Sequence, residues 1–187
     1  MAAQDIAEAL QRIESVLRRR PDSGLHDDAP ATARWDGGTR MIASHPSGKQ
    51  VVTDMPGEMG GSGDQVTPGW LFRAGLASCT ATRIAMAAAA QGIALQTLEL
   101  RASSRSDTRG LLGLADADGQ AVSAAPQNVQ LHVRIAAHGV ASQRLRALVE
   151  DSYRCSPVPR AVQDAVPVAL LIEVDDGEAS APAVSSC

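Results

Sequence analysis

Cys79, Cys155 and Cys187 are the three thiols of this 187-residue chain. Their odd number and wide spacing do not fit a secreted disulfide scaffold. In a reducing compartment such a thiol is either an inert filler or a reactive centre. Cys79 lies in an Ala-rich run, with Gly75 four residues before it and Arg83 four residues after. On a helix this spacing puts all three on one face. A guanidinium there can stabilise a thiolate, and the missing side chain at Gly75 leaves room for a substrate or another backbone. The plain alternative is a small buried hydrophobe, and spacing alone favours it. His26, His45, His132 and His138 form no ligand pair, and no CxxC is present, so neither a metal ion nor another cofactor is expected. The Gly-rich stretch MPGEMGGSGDQVTP lacks the GxxxxGK[ST] arrangement of a phosphate cradle.

The elements that must carry these residues can be read from periodicity and punctuation. Thr67-Pro68 opens the longest helix, with Thr as N-cap and Pro at the first position, and Gln91-Gly92 closes it. Ahead of it, 31–36, 40–44 and 50–53 read as a three-strand meander, turned by Gly37-Gly38 and by His45-Pro46-Ser47-Gly48. After it come strands over 95–101 and 129–135, a helix from Ser142 to about Arg154, a short helix over 159–164 and a last strand over 168–174. Residues 4–20 read as a separate amphipathic helix, ended by Pro21 and followed by a polar linker. The expected organisation is a helix and linker over 1–28, one domain over 29–175 and a flexible tail over 176–187.

Composition narrows the function. A net charge of −4 argues against a nucleic-acid partner, which usually calls for a basic surplus. The amino terminus has acids early and bases late, unlike a secretory signal, and no apolar run approaches the roughly 20 residues of a membrane span. A cytoplasmic protein is therefore expected. Aromatics at 2% oblige the core to be built from Leu, Val, Ile and Ala.

Three segments together resemble one known family. The run Pro68-Gly69-Trp70-Leu71-Phe72-Arg73-Ala74-Gly75-Leu76-Ala77-Ser78-Cys79 is similar to the P-x-x-L-F-x-A-G-x-x-x-C segment of the OsmC/Ohr proteins. Pro56-Gly57-Glu58-Met59-Gly60-Gly61-Ser62-Gly63 resembles their P-x-E-[LM]-G-G-x-G loop, and Gly37-Gly38-Thr39-Arg40 their arginine-bearing strand. The resemblance implies an α+β fold in which antiparallel sheet wraps around two central helices, assembled as an intertwined homodimer with sites built from both chains. It also implies a peroxidase that reduces organic hydroperoxides. Cys79 would be the nucleophile and pass through a sulfenic acid, while Arg40 would sit beside the sulfur and Glu58 would fix its guanidinium through a bidentate contact. Arg34 is the alternative to Arg40, because strand register is not fixed by one sequence. Leu71, Phe72, Leu76 and Met86 favour an alkyl peroxide over hydrogen peroxide.

The match departs from the family at the second thiol. Where the family carries Cys-Pro, this chain reads Arg154-Cys155-Ser156-Pro157, one residue out of step, which on a helix is a rotation of about 100°. Cys155 is the expected resolving thiol; otherwise an external thiol or a lipoyl-type reductant would serve. Cys187, at the last position, reads as an incidental thiol. The competing expectation is a noncatalytic OsmC-like binding module in which Cys79 is merely buried. The amino-terminal helix lies outside the resemblance and is expected to cover the dimer surface or a pocket mouth.

Overall fold

A computed structural model describes residues 3–174; Cys187 and the 176–187 tail lie outside the described residues. Helix α1 spans Ala3–Arg19. Strands β1 (Thr32–Trp35), β2 (Met41–Ser44) and β3 (Gln50–Thr53) form an antiparallel meander. Helix α2 (Pro68–Ala90) follows. An antiparallel pair, β4 (Leu95–Arg105) and β5 (Gln127–Ala137), encloses the short helix α3 (Thr108–Leu111). Helices α4 (Ser142–Arg154) and α5 (Pro157–Gln163) end the ordered elements.

Helix α2 is the axis of the fold because both of its termini are specified locally. The Thr67 side chain accepts the Trp70 N–H at 3.2 Å, Pro68 occupies the first turn, and Gly92, at φ +65°, reverses the chain. α2 packs against α1, β4, α4 and α5. Small alanines permit this close approach. Ile84, with no exposed surface, Ala87, Ala88 and Ile93 meet Leu145 and Leu148 of α4, and Leu98, Leu100, Val133 and Ile135 of β4–β5 cover them.

Within one chain the antiparallel sheet comes as a three-stranded and a two-stranded piece, in keeping with the expected α+β class. One expectation needs correction. The last strand, 168–174, does not form; its residues have no regular secondary structure and are exposed, with Val168, Leu170, Leu171 and Ile172 facing solvent. A strand exists only through an edge that pairs with it, and within this chain the segment meets none. Smaller differences are that β4 and β5 extend beyond 95–101 and 129–135 and that the connection between them holds the short helix α3.

Candidate active site

The site is built on α2. Cys79 is half-buried and carries no disulfide. Its Sγ accepts the backbone N–H of Val158 at 3.5 Å, from the first turn of α5. One turn away, a Cβ added to Gly75 would meet nothing within 4 Å, so the space beside the sulfur is open on that side. Thr80, by contrast, is buried and returns its hydroxyl to the Leu76 carbonyl at 2.9 Å. Leu76 is core at 2% exposure and does not line the open side. Arg83 faces a cavity of about 680 Å³ between α1 and α2, with Leu10, Leu17 and Met86.

Cys155 caps the carboxyl end of α4 and is exposed, whereas the next residue, Ser156, is fully buried and donates its hydroxyl to the Ser152 carbonyl at 2.8 Å. The helix-to-helix junction thus turns position 156 inward and position 155 toward solvent. This is the rotation expected from the one-residue displacement.

Arg40 anchors a second cluster. Its Nε and Nη2 donate to Asp54 Oδ2 at 3.4 and 3.2 Å, and Nη2 also reaches Ser62 Oγ at 2.7 Å and Asp64 Oδ1 at 2.5 Å. Nη1 has no protein acceptor among the described residues. Asp54, whose side chain is 5% exposed, also accepts from Thr39 Oγ1 at 2.6 Å, from Ser62 Oγ at 2.6 Å, and from the Met55 and Ser62 backbone N–H groups at 2.8 and 3.2 Å. The Ser62 hydroxyl lies between the Asp54 and Asp64 carboxylates and can donate to one at a time. These bonds, the Ser62 hydroxyl first and Thr39 next, hold Asp54 well below the usual carboxylate range. The Ser62 hydroxyl likewise lowers Asp64, and Asp64 is the main cause that raises Arg40.

The expected Arg40–Glu58 contact is absent. Glu58 is exposed on the 3-10 turn Gly57–Met59 and makes no side-chain hydrogen bond or ion pair among the described residues. The reason is register. Pairing Ser44 with Gln50 and Met41 with Thr53 carries Arg40 opposite Asp54, one step beyond the last strand pair. Asp54 was not singled out in the sequence, although the four-residue turn 45–48 fixes that register. Arg34 faces solvent and pairs with Asp36 at 3.6 Å. No hydrogen bond or ion pair joins Arg40, Arg34, Glu58 or Cys155 to Cys79 within the chain, among the described residues.

Gly61 keeps this loop folded tightly on itself. A Cβ there would lie 1.8 Å from the Met55 carbonyl oxygen and 2.8 Å from Asp54 Oδ1. Only glycine allows Ser62 to reach Asp54 from this position.

Comparison with known proteins follows the same lines. A family model described as OsmC-like protein matches residues 61–171. No curated protein matches significantly. Among solved structures, an organic hydroperoxide resistance protein OsmC from Legionella pneumophila is 21% identical, covering 74% of this chain and 91% of its own, with a TM-score of 0.53. An OsmC-like protein from Mycoplasma pneumoniae is 17% identical over 74% of this chain and 89% of its own, with a TM-score of 0.61. An organic hydroperoxide resistance protein from Elizabethkingia anophelis is 18% identical over 74% and 90%, with a TM-score of 0.53. At these identities the likeness is one of fold: mixed helix and antiparallel sheet. Among the described residues no helix is long and apolar enough to cross a membrane.

Proposed function

Because the chain belongs to the OsmC-like protein family, we propose that it reduces organic hydroperoxides through the Cys79 sulfur. The setting of that sulfur carries the reading: a half-buried thiol without a disulfide, open space at Gly75, and the Val158 N–H directed at it. The thiolate attacks the distal peroxide oxygen. The O–O bond breaks, the alkoxide leaves and takes up a proton as alcohol, and sulfur, having given up two electrons, becomes a sulfenic acid. A second thiol then displaces water and forms a disulfide.

The catalytic unit is a homodimer in this reading. Two observations support it: the apolar segment 168–174 is uncovered in the single chain, and no hydrogen bond or ion pair among the described residues joins Arg40 to Cys79. Arg40 of the second copy orients the peroxide with the N–H groups of Nη1, while Asp54 and Asp64 keep its guanidinium fixed. Cys155 is the internal candidate for the resolving thiol. Its exposure favours a second reading of that step, in which an external thiol or lipoyl-type reductant meets the sulfenic acid directly.

The test is a thiol count after mixing reduced protein with cumene hydroperoxide. Rapid loss in wild type and none in Cys79→Ser is the expected result. Equal rates in the two would leave a noncatalytic binding module. Persistent sulfenic acid in Cys155→Ser, with an internal disulfide in wild type, assigns resolution to Cys155; the same sulfenic acid lifetime in both assigns it to an external thiol.

A further inference from the structure

Beneath α3 lies a pocket whose walls include Phe72 but none of Cys79, Arg40, Glu58 and Cys155. Its volume is about 540 Å³, within the range of small-molecule sites. The body is apolar, with Met55, Met59, Phe72, Leu111 and Pro126 among its walls. Gly110 makes the roof possible: a Cβ there would lie 2.2 Å from the Ser123 carbonyl oxygen, so α3 rests directly on backbone. Arg73, half-buried on α2, also lines the pocket, and its only polar contact among the described residues is Nη1 to Ser104 Oγ at 3.4 Å. No carboxylate among the described residues lies within ion-pair distance of it. Asp107, also in the lining, is already engaged: Arg109 donates to both of its oxygens, at 3.0 and 2.6 Å. The hydroxyls of Thr67, Ser106 and Thr108 add donors around the same cavity.

A half-buried guanidinium without a counter-charge in the wall of a largely apolar cavity calls for an anion with an apolar body. We propose that this pocket binds a small monocarboxylate, its carboxylate on Arg73 and its hydrocarbon against Met55, Met59 and Phe72. One guanidinium matches one carboxylate and leaves a doubly charged phosphate undercompensated. The site goes beyond the peroxidase proposal and does not require the sulfur. Arg73 and Cys79 are six residues apart on α2, which turns their side chains about 120° away from each other.

Octanoate is the probe, used with the full chain carrying isotope-labelled methionine methyl groups. In wild type the Met55 and Met59 methyl signals shift on titration while those of Met41 do not; unchanged Met55 and Met59 signals at saturating octanoate overturn the proposal. Arg73→Met, which keeps length and loses charge, weakens octanoate about tenfold and leaves octanol unchanged. Equal loss of both, or of neither, rejects the carboxylate assignment. Ala124→Trp fills the cavity and weakens both ligands. Cys79→Ser retains octanoate; if it does not, the ligand belongs to the sulfur site and the separate pocket is refuted, whatever the outcome of the peroxide assay.

Discussion

Gly61→Ala tests whether the loop that holds Arg40 depends on one missing methyl group. The added carbon would sit 1.8 Å from the Met55 carbonyl oxygen, where ordinary contact begins near 3.4 Å, so the chain must withdraw by about 1.6 Å. Neither flanking contact can rotate away, because the first is backbone and the second, Asp54 Oδ1, is held by Thr39 and the Met55 N–H. Overpacking of this kind costs about 1–3 kcal/mol. For a domain of this size that lowers Tm by about 2–12 °C. Ser62, the next residue, is pulled from Asp54, and the Arg40 guanidinium loses part of its anchor. Gly57→Ala is the control: its backbone is not left-handed and a Cβ there meets nothing within 4 Å, so it stays within about 0.5 kcal/mol of wild type. Thermal denaturation followed by circular dichroism, with peroxide consumption on the same samples, reads both effects. If the two alanine variants melt together and turn over peroxide alike, the loop is not pressed on Asp54 and the account of Arg40 is wrong.

Acidification tests the carboxylate cluster. Asp54 and Asp64 are lowered in the fold, so below the unfolded value of about 4 the unfolded chain binds more protons and stability falls with pH. Urea midpoints should therefore drop as pH falls below about 4, and the gap between wild type and Asp54→Asn should narrow over the same range. Ile84→Ala, at a position without exposed surface, should cost about 2–5 kcal/mol in urea unfolding. Thr67→Ala removes the hydroxyl that accepts the Trp70 N–H and should cost about 1 kcal/mol by the same measurement.

Local signals made most of the framework legible. Thr67, Pro68 and Gly92 mark both ends of α2, and the turns at 37–38 and 45–48 separate β1, β2 and β3. What was not legible depends on contact between distant parts. The short apolar run 168–174 fits a strand, yet pairing requires an edge that the single chain does not offer. Helix α3, only four residues long, has no periodicity to announce it; it stands through its Asp107 cap and the close approach at Gly110. The Arg40–Glu58 contact failed for a different reason. A motif indicates which residues gather, while the register of β2 and β3 selects which carboxylate lies opposite. Asp54 also gains four donors, from Thr39, Met55 and Ser62, that no spacing announces.

The Arg40 cluster sets two carboxylates against one guanidinium, so its formal sum is negative. Whatever that arginine does for a bound molecule, it acts by aiming hydrogen bonds, not by drawing charge from a distance. Ionic strength should hardly alter its effect, since there is little long-range field to screen. Neutral molecules with a hydroxyl-like end can approach without penalty, whereas anions are mildly repelled. In one chain, two arginines thus sort molecules oppositely: Arg40 by shape, and the uncompensated Arg73 by charge.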